Sequence, residues 1–364
     1  MQVIVVGAGV VGCAIAYELA ARGAAVRVID PRGSGQGATR ASAGMLAPYI
    51  EGHSAALLQL GVAGLDQYER FIGRVSADAR RSIEYRRTGT LQVARTDEEA
   101  RALERHGRAL ADSGVTATML DQGELSRSEP ALTTEARAAL LIPPHGYVRV
   151  AALMEALVGA GVNRGVQLVV ARARRIAHLN GRAAVETAEA TLDADAVVLA
   201  AGSWSGGIPV DTAPSPPVRP VRGQILQLRL PQPPLSRIVW GSGGYMVPWE
   251  DGSVLVGSTA EEVGFDESVT ADGVRRLLER AERLVPALGG AVFEGARAGL
   301  RPASTDELPI IGPSKGMPGV FYATGHYRNG VLLAPLTASL VADLVLGGGE
   351  RPELQLVRPD RFGL

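Results

Sequence analysis

One cysteine, Cys13, and one lysine, Lys315, stand in a chain of 364 residues. A single cysteine rules out an internal disulfide framework and any cysteine-built metal site. A Walker-type phosphate loop needs a Gly-Lys pair, and the chain has none. Lys315 sits in a Ser-Lys-Gly loop, a poor setting for a Schiff base or a lysine general base. The five histidines, His53, His106, His145, His178 and His326, are not at metal-ligand spacing, which argues against a metal hydrolase. Aromatic residues make up only 4%, so base stacking on exposed rings is not a theme. The formal net charge of -1 leaves no basic excess for nucleic acid or a membrane surface. The apolar N-terminus is broken by glycines and soon reaches Glu18 and Arg22; it lacks a charged leader and is too short to span a bilayer. A cytoplasmic location is expected.

What is abundant is glycine, 45 residues, and three of these open the chain's most informative motif. Val3 to Val6 reads as a buried parallel strand, Gly7-Ala8-Gly9-Val10-Val11-Gly12 as a turn, Val10 to Ala21 as an apolar helix, and Ala25 to Ile29 as a second strand ending at Asp30. Gly7 permits the tight turn, Gly9 lets the backbone approach a pyrophosphate, and Gly12 lets helix and strand lie close. The helix start, with Val10 and Val11, offers unpaired N–H groups to phosphate. Asp30 is placed to accept hydrogen bonds from ribose hydroxyls and disfavours a 2′-phosphate, hence NADP. The motif alone does not separate FAD from NAD. The small-residue stretch Gly33 to Tyr49 can pack under a long cofactor, with Thr39, Arg40 and Ser42 able to meet its pyrophosphate.

The expected fold class is α/β (α+β overall): a Rossmann-like dinucleotide-binding domain from 1–82, 146–218 and 296–364, and a discontinuous substrate domain with a mixed or antiparallel sheet from 83–145 and 219–295. Helices are expected over 55–74, 97–113, 150–160, 272–284 and 331–346. A single strand is expected over 192–200, leading to Gly202. Asp251-Gly252 signals a hairpin. Pro214, Pro216, Pro217 and Pro220 mark a crossing between domains.

Near the C-terminus, Gly299-Leu300-Arg301-Pro302 precedes a strand, Val320 to Ala323, and the loop His326-Tyr327-Arg328-Asn329-Gly330, which opens an apolar helix. Several N–H groups at such a point suit an anion, including charge on a reduced flavin. With Thr39-Arg40-Ala41-Ser42-Ala43-Gly44-Met45, these motifs resemble the glycine oxidase and D-amino-acid oxidase family of FAD enzymes over nearly the whole chain. Within it, the chain looks most like the branch associated with making the thiamine thiazole ring.

The resemblance implies noncovalent FAD, since no cysteine lies near the C-terminal region, together with a small amino-acid or amine substrate, oxygen, and a homo-oligomer. It implies that Arg301 grips the substrate carboxylate and Tyr245 touches it. Met45 would lie over the flavin, and Arg328 near its substrate end. Gly325 to Leu333, including His326, Asn329, Gly330, Val331 and Leu332, would wrap the ring. Ala43, Gly44 and Arg174 would also meet the cofactor. The implied reaction is oxidative deamination of glycine, sarcosine or small D-amino acids: a hydride passes from Cα to flavin N5, the imine hydrolyses, and oxygen gives hydrogen peroxide. Orientation does most of this work, and no protein acid or base is required. A dehydrogenase feeding a quinone shares every motif, and a noncatalytic FAD- or NAD-binding module is a further alternative. Two departures stand out. Gly243-Gly244 precede Tyr245 where relatives carry larger residues, which is expected to open the pocket. Asp30 stands where a glutamate is common.

Overall fold

The computed structural model describes residues 1–50, 54–349 and 351–364, so His53 lies outside the described residues. A six-stranded sheet runs in the order Ile310–Pro313, Val320–Thr324, Ala196–Leu199, Gln2–Val6, Ala25–Ile29, Gln167–Val169. All neighbours are parallel except the first pair. Gln2–Val6 is apolar after its first residue because both faces are covered. Val3 and Val5 face a helical layer that includes Val10–Ala21, Val150–Asn163 and Gly330–Val345. Ile4 and Val6 face a small antiparallel sheet of Arg175–Leu179, Arg182–Glu186 and Thr191–Ala194.

That small sheet corrects one expectation. The run 192–200 is two strands that change layer at Asp195. Thr191–Ala194 pairs antiparallel with Arg182–Glu186, and Ala196–Leu199 pairs parallel with Gln2–Val6. The Asp195 carboxylate accepts from Gln2 N at 2.6 Å and from Arg182 Nη2 at 2.7 Å, which ties the crossing point to both layers. The stretch 55–74 is likewise two helices, Ala55–Asp66 and Tyr68–Ala79. The first packs on Gly330–Val345 and the second on Val150–Asn163, so one straight rod would satisfy neither.

An eight-stranded sheet gathers Val292–Ser304, Val218–Arg229, Ser253–Gly257, Gly244–Pro248, Ile238–Gly241, Thr90–Ala94, Ala138–Ile142 and Thr118–Asp121, in that order. Its two sequence-distant halves meet in the parallel pair Ile238–Gly241 and Thr90–Ala94; its other pairs are antiparallel. The expected hairpin turns at Gly252, whose N–H donates to Trp249 O at 3.2 Å. The long strands Val218–Arg229 and Val292–Ser304 reach back to the six-stranded sheet. There, Ser203 Oγ donates to Leu300 O at 2.8 Å and Ala303 bridges His326. The site lies where these two sheets meet.

Candidate active site

A cavity of about 850 Å³ opens at that junction. At one end is the glycine turn. Gly7 N donates to Ile29 O at 2.8 Å, and Gly7 has φ +111° with no room for a Cβ beside Ala200 O. A Cβ on Gly12 would overlap Gly7 O, so the helix starts hard against the strand. The first turn of Val10–Ala21 carries no acid. Thr39 Oγ1 accepts from Val10 N at 3.1 Å, which fixes the small-residue stretch onto this helix start. Asp30 accepts from Ala8 N at 3.0 Å and Arg32 N at 2.8 Å, so its carboxylate is held at the cavity wall.

The helix Gly330–Val345 supplies a second amino end, again with no acid in its first turn. Pro335 removes the N–H that would have bonded Val331 O. The buried Tyr68 Oη supplies the missing donor at 2.5 Å, so a helix with an internal proline keeps a satisfied first turn.

The same cavity is lined by the pair singled out from the sequence. Arg301 lies on Val292–Ser304; its Nη2 donates to Ser258 Oγ at 2.8 Å and its Nη1 to Thr259 O at 3.1 Å. These bonds set the plane of the guanidinium. Tyr245, on Gly244–Pro248, stacks near Trp240 with centroids 5.3 Å apart. Two glycines make room for this pair: a Cβ on Gly223 would overlap the Arg301 guanidinium, and one on Gly257 would press into the Tyr245 ring at 2.5 Å. Sequence reasoning missed both, because the signal is a cross-strand contact set by strand register and not by neighbours along the chain. Gly223→Ala is therefore expected to push the guanidinium aside and raise KM about 10–100-fold with Tm little changed, since a misplacement near 1 Å costs up to that much. Steady-state kinetics beside a melting curve checks it.

The cavity brings together Gly7, Gly9, Val10, Val11, Asp30, Thr39, Ser42, Ala43, Gly44, Met45, Arg174, Gly202, Tyr245, Arg301, His326, Arg328, Asn329, Gly330, Val331 and Leu332. Gly12 acts behind the wall, in the helix–strand contact. Arg40 does not line the cavity; its side chain is exposed, because the short turn Ala38–Ala41 buries Thr39 and turns the next residue outward. Gly243 and Gly244 do line it, yet their missing side chains do not enlarge it. A Cβ on Gly244 would meet Gly257 O at 2.6 Å, and one on Gly243 would meet Arg280 Nε at 3.2 Å. Close strand pairing explains Gly244 better than an opened pocket does. Arg32, Trp204, Phe265 and Glu267 also line the cavity and were not foreseen.

His326 is buried, with Nε2 and Thr337 Oγ1 2.9 Å apart, and burial pushes its pKa down to about 4. A ring kept neutral in this way supports the wall and is unsuited to proton abstraction. His145 is pushed down to about 3 by burial and then by Arg87 and His106; its Nε2 accepts from Tyr49 N at 3.2 Å. Both groups have folded-state pKa values below the unfolded value near 6.5. Their contribution to stability is therefore complete above pH 6.5 and is lost as pH falls toward 4 and below. Denaturant unfolding at stepped pH should show stability falling with a slope approaching about 2.7 kcal/mol per unit, the value for two protons taken up on unfolding. A flat response between pH 6 and 4.5 would contradict it.

Among the described residues, no group of three or more His, Cys, Asp or Glu could hold a metal ion. No helix there is long and apolar enough to cross a membrane. The donor set suits a dinucleotide: two helix amino ends and a glycine turn for anionic groups, and a fixed carboxylate for hydroxyls.

A mostly parallel sheet with this turn, joined to a mostly antiparallel sheet across one shared cavity, is the arrangement of a dinucleotide-dependent oxidoreductase. The chain belongs to the FAD dependent oxidoreductase family, whose model matches residues 2–344. FAD is its cofactor, and the residues just described fit it. The glycine oxidase of Geobacillus kaustophilus is 36% identical over 94% of this chain and 92% of its own length. A crystal structure of glycine oxidase from the same organism superposes with a TM-score of 0.92, at 34% identity, covering 97% of each chain. The bifunctional protein ThiO/ThiG of Synechocystis is 35% identical over 99% of this chain, which spans 54% of that relative.

Proposed function

We propose that this protein oxidises glycine, sarcosine or small D-amino acids with oxygen, yielding a 2-oxo acid, ammonia or amine, and hydrogen peroxide. The observation that carries the reading is Arg301, oriented by Ser258 and Thr259, in the same cavity as Tyr245 and the two helix amino ends. A planar guanidinium pairs with a carboxylate through two parallel hydrogen bonds, and Tyr245 offers a third donor beside it. Holding the carboxylate at this point fixes the rest of a small substrate. Met45, paired with Tyr147 in a short strand, and Arg328, against the Tyr327 ring, border that region. Bound FAD supplies the two-electron acceptor. The remaining barrier is lowered by orientation and by excluding water, consistent with a neutral His326.

The relatives' names favour oxygen over a quinone as acceptor, and the likeness to a bifunctional ThiO/ThiG protein supports a role in making the thiamine thiazole ring. The chain is read as an FAD-binding domain of 1–82, 146–218 and 296–364 and a substrate domain of 83–145 and 219–295; the separation of the six-stranded from the eight-stranded sheet supports this division, with the strand Val292–Ser304 running across the 296 boundary. Noncovalent FAD, a homo-oligomer and a cytoplasmic location belong to the same reading. The test is a panel of glycine, sarcosine, D-alanine and amines without a carboxylate. Anaerobic flavin bleaching and aerobic peroxide release are read together. Bleaching without peroxide means a dehydrogenase; no bleaching by any carboxylated amine sinks the proposal.

A further inference from the structure

Residues 258–270 form an arm between the strand Ser253–Gly257 and the helix Ala271–Leu284. Its first two residues hold the Arg301 guanidinium. Its middle is pinned from below by the buried Arg222, whose Nε donates to Glu261 Oε2 at 2.9 Å and whose Nη1 pairs with Asp266. Gln224 Nε2 donates to Glu261 Oε1 at 2.8 Å, and Gln224 Oε1 accepts from Thr270 N at 2.8 Å. The arm is therefore built to one shape.

Its tip crosses to the six-stranded sheet. Glu267 Oε2 accepts from Arg32 Nη1 at 2.7 Å. The Arg32 guanidinium lies 4.2 Å from the centroid of the Trp204 ring, and Phe265 packs on Trp204 at 5.8 Å. Phe265 is 55% exposed, so core burial does not explain its position; its contact with Trp204 does. Glu267 Oε1 has no hydrogen-bond partner, and the Arg32 and Glu267 side chains remain 35% and 24% exposed, so salt still screens the pair. All four side chains line the cavity, and Arg32 follows directly on the Asp30 end of it.

We propose that Arg32, Trp204, Phe265 and Glu267 form a clasp over the Asp30 end of the cofactor cavity, and that its opening sets the rate at which FAD leaves. Two contacts act together there, an ion pair stacked on an indole and a ring–ring contact, each modest in isolation. The inference rests on the FAD site and not on the substrate assignment, so a failed substrate panel leaves it standing.

The test is FAD release from purified holoenzyme, followed by recovery of free-flavin fluorescence after dilution. Glu267→Gln and Phe265→Ala should each release FAD about tenfold faster, and the pair together little more than either alone, because both open one clasp. Raising sodium chloride should speed release from the unaltered protein and have much less effect on Glu267→Gln. Phe265→Leu should restore part of the slow release. Release within twofold of the unaltered protein in both single variants would overturn the proposal. So would a lowered apoprotein Tm with unchanged release, which would make the contacts a structural tie only.

Discussion

Arg301→Ala is expected to lower kcat/KM for a carboxylated amine by about 10²–10³-fold, with FAD still bound. The magnitude follows from losing two charge-assisted hydrogen bonds worth about 1.5–3 kcal/mol each, partly replaced by water. FAD should stay because the glycine turn, Asp30 and the second helix start are built from other segments. The loss should fall mainly on KM if the arginine grips the ground state, and on kcat as well if it also fixes the reacting geometry. Arg301→Lys should recover little, since a lysine keeps the charge but cannot reproduce the planar fork held by Ser258 and Thr259. An amine without a carboxylate should be a poor substrate for the native protein and lose almost nothing further in the variant. Equal losses for carboxylated and uncarboxylated amines would show that Arg301 serves structure and not recognition.

Gly7→Ala is expected to yield protein that retains little or no FAD and melts well below the native form. The added Cβ would overlap backbone at Ala200, and neither strand nor turn can yield without breaking the pairing of Gln2–Val6 with Ala196–Leu199. The residue also sits at φ +111°, a conformation that side-chain-bearing residues rarely adopt. Strain and overpacking together cost about 3 kcal/mol or more. The same displacement would move the N–H groups of the following helix start away from the phosphates. Absorbance near the flavin bands after desalting, with a melting curve of the apoprotein, reads both effects. Full flavin occupancy would show that the turn tolerates a shift the packing argues against.

Much of this site is legible without coordinates because its chemistry is local. Gly7 to Gly12, the apolar helix after it and Asp30 depend on near neighbours: period, propensity and spacing dictate strand, turn, helix and strand over the first thirty residues. The same holds for the loop from His326 to Gly330 ahead of its helix. Expectations failed where the deciding contact is distant. The run 192–200 looks continuous, but Asp195 meets Gln2 and Arg182, and the strand changes layers there. Gly243-Gly244 look like an opened pocket, but a Cβ on Gly244 would meet Gly257 O on the neighbouring strand.

The sequence by itself determined the strand, glycine turn and helix at the start of the chain and the helix start after Asn329. Only the tertiary structure decided that Gly223 and Gly257 lie under Arg301 and Tyr245, that Tyr68 replaces the donor lost to Pro335, and that residues 258–270 span from Arg301 to Arg32. The physical reason is range. Backbone preference and hydrophobic period act over a few residues and can be read along the chain. Steric fit and ion pairing act across strands and layers between residues 12 (Tyr245 and Gly257) to 263 (Tyr68 and Val331) positions apart, where register and layer order decide which atoms meet.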